Sequence, residues 1–206
     1  MILVFSILAA IQSPPASTPF STPLDPESRA RIIVAAPALA DMPDTMVATY
    51  PVDGRTPQAI RASINRGRPS DVEGGERFDA VTRWSYQANW RRSGPDQCLA
   101  DTAEVTMAVK IILPDLVSRD RLSTREKAAW DGYFQSLVAH ELNHGRIAAL
   151  GSQRMQAALR EATSCAEMQA TRERLGTEIR DANREYDRTS EHGRLEGAVY
   201  PPMARR

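Results

Sequence analysis

Apolar spacing changes character three times along the chain, and each change predicts a different element. Residues 2–11 (ILVFSILAAI) are one continuous apolar run. It is too short to cross a bilayer but has the length of the apolar region of a secretory signal. A second signal-like stretch is residues 29–40, where Arg29 and Arg31 precede IIVAAPALA and Ala38-Leu39-Ala40 supplies a small-residue pattern. Residues 12–44 are rich in Pro, Ser and Thr and read as a leader or linker. From Met46 the pattern turns strand-like: MVATYPV, then the turn residues Asp53-Gly54. Thr56-Pro57 are N-cap and first-turn types, so residues 56–67 predict a short helix ended by Gly67. Residues 78–90 and 103–113 are rich in β-branched and aromatic side chains and read as strands, the second stopped by Pro114.

The last third has helical spacing. Ser123-Thr124-Arg125-Glu126 holds capping-type residues, and good helix formers follow to about Ala162. Trp130, Phe134, Leu137, Val138 and Glu141 fall on one face. A second helix is expected from about Cys165 to Asp187, after a short connection near Thr163-Ser164, which makes an antiparallel hairpin. Of the 14 prolines none lies between Asp115 and Tyr200, which leaves both helices unbroken. The expectation is an α+β chain. Residues 1–45 form a signal-like segment and leader. Residues 46–200 form one domain, with a small antiparallel sheet, one short helix and a long C-terminal helical hairpin.

Charge narrows the partners. With 26 Lys or Arg against 26 Asp or Glu the formal charge is zero, which argues against a nucleic-acid binder or a polybasic membrane surface. The two cysteines, Cys98 and Cys165, belong to no CxxC. They read as one disulfide in an exported protein and as two thiols in the cytosol.

Chemistry enters at residues 140–144, His-Glu-Leu-Asn-His. On a helix, positions i and i+4 project to the same side, so His140 and His144 can share a metal ion. Glu141 then stands beside the ion, where a general base belongs. The extended pattern that requires Gly at 147 and His at 150 is excluded by Ile147 and Leu150. Glu161 as a third ligand would be about 25 Å along the helix axis from His144. The hairpin points elsewhere: if the chain reverses near residue 163, Tyr186 returns to the level of His140. The only remaining histidine, His192, follows closely. The expected ligands are His140, His144 and His192, with Asp187, Glu185 and Asp181 as alternatives on the returning stretch. Tyr186 is a candidate hydrogen-bond donor to a developing oxyanion, with Tyr200 a weaker one. Gly145 and Gly151 either allow close approach of a neighbour or simply weaken the helix.

These residues carry a resemblance. Tyr50-Pro-Val-Asp-Gly54, Arg77-Phe78 with Thr82-Arg83-Trp84, Cys98, Leu113-Pro114, Trp130, His140-Glu-Leu-Asn-His-Gly145, Cys165, and Tyr186-Asp187, Thr189 and His192-Gly193 together resemble the bacterial domain-of-unknown-function 922 family. That family is described as predicted secreted zinc-dependent proteases, and the likeness covers about residues 46–197. It implies an exported, metallopeptidase-like domain and strengthens the Cys98–Cys165 pairing. The expected activity is zinc-assisted hydrolysis of a peptide or protein substrate, without a membrane span. The alternative is a non-catalytic exported module that binds zinc or a partner on the same scaffold.

Overall fold

Strand β1 (Met46–Val52) forms where the sequence predicts it, and buries Val47, Ala48, Tyr50 and Val52. The computed structural model describes residues 24, 26–42, 44–70 and 75–202. Helix α2 (Pro57–Gly67) starts as expected: Thr56 Oγ1 accepts a hydrogen bond from the Ala59 amide, and Pro57 fills the first turn. Strands β2 (Val81–Gly94) and β3 (Gln97–Leu116) form one long hairpin.

The sheet has three strands in the order β1-β3-β2. It is mixed rather than antiparallel throughout, because β1 pairs with β3 in parallel, Met46 opposite Lys110 through Val52 opposite Leu116. The strands do alternate in direction along the chain. Since β3 inserts between the first two, strands one and three become neighbours, and alternate members of such a series run the same way. Strand β3 is also longer than the expected 103–113. Pro114 does not stop it, because β2 begins at Val81 opposite Ile112 and leaves no ladder on that flank beyond it. Ile111, Ile112 and Leu113 are all buried, as befits a central strand covered on both faces.

The second half of the leader is part of the fold. Residues 1–23, with the apolar run at 2–11, lie outside the described residues. Helix α1 (Pro26–Ala35) and a 3-10 turn (Pro37–Asp41) follow, and Ala36 and Leu39 enter the main core with β1, β3 and the long helix. The Leu24 amide donates to the Val47 carbonyl, which ties this segment to β1.

Helix α3 (Thr124–Glu161) opens on the complete capping box of Ser123 and Glu126. Helix α4 (Cys165–Ser190) is capped by Ser164 and packs back along α3 through Ala148, Met155, Leu159, Met168, Leu175 and Ile179. The expected Cys98–Cys165 disulfide is present and pins the start of α4 to β3. Two of the three glycines of α3 are contact points. A Cβ at Gly151 would lie 2.3 Å from Ile179 Cγ1, and one at Gly145 would lie 3.1 Å from Met42 Cε and 3.3 Å from Val109 Cγ1. Among the described residues no helix is long and apolar enough to cross a membrane.

One partly buried carboxylate joins three elements. Asp79 accepts from Arg61 at 2.7 and 2.6 Å, from Arg68 Nε at 2.7 Å and from the Tyr133 hydroxyl at 2.8 Å. Burial pushes its carboxyl up, but the Arg61 guanidinium, Tyr133 and Arg68 outweigh it and hold the group below its ordinary value. A depressed pKa stabilises the fold above the unfolded value of about 3.9 and loses that stability as pH falls through the folded value. Asp79→Asn is expected to cost about 2–3 kcal/mol at neutral pH, less than a fully buried pair because both arginines keep water contact. Urea melts of both forms check this, and the gap should close as pH drops below about 4.

Candidate metal centre

The motif lies inside α3, an uninterrupted helix of 38 residues, so His140 and His144 stand one turn apart on the same face. Both are buried, and their rings meet edge to face with centroids 4.8 Å apart. Helix α4 runs antiparallel and brings Asn183, Tyr186 and Asp187 to this level. The Tyr186 ring stacks on His140 at 4.9 Å, as equal rise on either side of residue 163 requires.

Three donor atoms converge. The Nε2 atoms of His140 and His144 are 3.3 Å apart, and Asp187 Oδ1 lies 3.3 Å from the first and 3.1 Å from the second. Four-coordinate zinc with ligands at about 2.0–2.1 Å has neighbouring donors about 3.3 Å apart, so the triangle is of the size such an ion requires. The cluster His140, His144 and Asp187 could therefore hold a metal ion.

Each imidazole is set by a partner on its other nitrogen. Asn183 Nδ2 donates to the Ile179 carbonyl, which leaves its Oδ1 to accept from His144 Nδ1 at 2.8 Å. Glu196 Oε2 accepts from His140 Nδ1 at 2.8 Å. In the neutral rings both Nδ1 atoms then carry the proton, and both Nε2 lone pairs face the centre.

The electrostatics follow from burial and close charge. Burial works against the charged forms of His140 and His144, but Asp187, Glu141 and the acceptors on Nδ1 outweigh it and raise both histidines. Burial likewise opposes ionisation of Asp187, yet the two histidines hold its carboxyl well below the usual range. Glu141 goes the other way: burial pushes it up against the pull of His144 and Thr82. Thr82 Oγ1, on β2, lies 2.7 Å from Glu141 Oε2 and 2.9 Å from the Glu141 carbonyl and shares its one proton between them, while Glu141 Oε1 makes no hydrogen bond among the described residues.

The third corner differs from the first expectation. Helix α4 extends to Ser190, so Asp187 is still helical and faces the histidines. His192 follows the left-handed residue Glu191, and its ring stacks on Phe78 at 5.1 Å. Its Nδ1 is 3.5 Å from Asp187 Oδ1, and its side chain is 54% exposed. His192 thus borders the cluster, and Asp187, an alternative from the outset, supplies the converging donor. Glu185 pairs with Arg188, Asp181 pairs with Arg184, and Glu161 ends α3 far from the histidines.

The Tyr186 ring packs against both histidines, and its hydroxyl turns to other partners. Its hydroxyl accepts from Asn143 at 2.9 Å and donates to Glu196 at 2.9 Å, and burial together with Glu196 pushes its pKa up to about 12. The one hydroxyl proton is therefore engaged by Glu196. Tyr200 is buried among Trp130 and Tyr133 in the core. Asn183 and Glu196 were not singled out by the sequence, and Thr82 entered only as part of the family resemblance. Only Asn183 carried a readable signal, one turn before Asp187 on the same helix face.

A family described as bacterial protein of unknown function (DUF922) matches residues 47–193. The chain belongs to the DUF922 family. In this DUF922 protein the match takes in the sheet, α2, α3 and α4, and with them His140, Glu141, His144, Asp187 and His192. It ends three residues before Glu196. No curated protein and no solved structure matches the chain.

Proposed function

We propose that this DUF922 protein is an exported zinc-dependent hydrolase that cleaves peptide bonds. The observation that carries the reading is the triangle of Nε2, Nε2 and Oδ1 donors at 3.1–3.3 Å with the buried Glu141 beside it. His140, His144 and Asp187 would hold the ion, a set of three protein ligands that leaves the fourth position open. Bound there, zinc would supply a Lewis acid able to polarise a carbonyl and make a water acidic near neutral pH. Glu141 supplies the proton transfers. Thr82 holds Oε2, so Oε1 is the atom that takes the water's proton and passes it to the leaving nitrogen. The raised carboxyl of Glu141 suits that task, because a more basic carboxylate accepts a proton more readily. The Cys98–Cys165 disulfide fits folding in an oxidising compartment.

A second reading rests on His192. Its Nδ1 is 3.5 Å from Asp187 Oδ1, and were its ring to leave Phe78 and turn to the ion it would add a fourth protein ligand and close the site, as structural zinc sites are closed. Metal analysis of the purified protein, followed by a peptide-library assay, separates the two. The hydrolase reading expects one equivalent of zinc, cleavage, loss of metal in Asp187→Ala and retention in His192→Ala. One equivalent of zinc with no cleavage, lost in His192→Ala, would establish the closed site instead.

A further inference from the structure

We infer that Glu196 is a positioning residue that fixes which nitrogen of His140 faces the metal position, an inference that rests on the metal-centre reading above. A neutral imidazole carries one N–H, and a carboxylate only accepts. Glu196 Oε2 at 2.8 Å from Nδ1 therefore draws the proton to that nitrogen and leaves the Nε2 lone pair for the centre. The same carboxylate accepts the Tyr186 hydroxyl at 2.9 Å, and the Tyr186 ring lies flat against His140. One side chain thus holds the imidazole both directly and through its stacking partner.

The backbone is bent to deliver that side chain. Glu191, His192, Gly193 and Gly197 all have positive φ, from 51° to 88°. Glu196 ends the 3-10 turn Arg194–Glu196 between the two glycines, and the Ala198 amide closes the turn on the Gly193 carbonyl at 3.0 Å. A Cβ at Gly193 would sit 3.0 Å from His140 Cγ, so the turn lies directly on the ring. Left-handed backbone at non-glycine residues is costly and persists where the surroundings impose it. Here it carries a carboxylate onto a ligand histidine. His144 has only the neutral Asn183 oxygen behind it, so the two ligands are backed unequally.

The test needs no activity. In metal-free protein at roughly pH 9, above the histidine range, imidazole 15N spectra report the tautomer of each ring. With three histidines in the chain, His140 is identified by its loss in His140→Asn. The wild type is expected to show the Nδ1–H tautomer. Glu196→Ala should shift it to Nε2–H, with Asp187 as acceptor, and weaken zinc binding about 10–100-fold in chelator competition. Glu196→Gln, which keeps an acceptor, should retain the wild-type tautomer. Glu196→Met fills the space without an acceptor and should repeat the alanine result should that variant not fold. An unmoved His140 tautomer in the alanine or methionine variant overturns the role of Glu196. Failure of the wild type to bind zinc overturns the metal-centre reading instead.

Discussion

Glu141→Gln is expected to keep its metal and lose turnover by about 10²–10⁴-fold, the range of a general acid–base group. Gln has the size of Glu, and its amide oxygen can still accept the Thr82 hydroxyl, so the packing of this buried position is conserved. What disappears is the basic oxygen at Oε1. The three donor atoms belong to other side chains, so metal content should stay at the wild-type ratio. Stability should hold or rise slightly. Burial raises the Glu141 carboxyl, so its charged form opposes folding at neutral pH, and a neutral amide removes that cost. Metal content, melting temperature and turnover on the best library peptide check the three parts. Wild-type turnover in the variant would remove Glu141 from the mechanism.

Opening the disulfide is expected to have the largest effect on stability. Cys98 and Cys165 are 67 residues apart, and closing a loop of that length restricts the unfolded chain by about 4 kcal/mol in the chain-entropy treatment. For a chain of this size that corresponds to a fall in melting temperature of about 8–16 °C. Cys98→Ser with Cys165→Ser, or the wild type under reductant, should show it by calorimetry. The consequence reaches the metal position. The bond holds the first residue of α4 against β3, and the far end of α4 carries Asn183, Tyr186 and Asp187. A helix less firmly seated holds Asp187 less firmly opposite His140 and His144, so zinc affinity should fall along with stability. A melting shift under about 3 °C would mean that the reduced unfolded chain is already compact.

Much of this architecture was legible because its signals are local. Ser123 and Glu126 announce a capping box, Thr56-Pro57 announces α2, and both helices start where those residues stand. The hairpin register was legible for a different reason: two helices joined by a short link must return at equal rise, which set Tyr186 beside His140. The choice between Asp187 and His192 lay beyond local signals. It turns on three further residues of α4, up to Ser190, and helix ends are the least determined part of a pattern. Strand order is a tertiary fact as well. Nothing in the residues of β1 says that β3, rather than β2, will lie beside it. Glu196 belongs to no motif, and only the left-handed turn brings it to His140.

The packing of residues 36–42 would limit any trimming of the N-terminal segment. Ala38-Leu39-Ala40 has the small residues that a signal peptidase reads. Yet Leu39 is 0% exposed in the main core, and Met42 just beyond it touches the position of Gly145 beside His144. Cutting after Ala40 would take α1, Ala36 and Leu39 away from that core. A trimmed form that kept this core would have to retain Ala36 and Leu39. What the core holds in place, rather than a small-residue pattern, would set the length that could be removed.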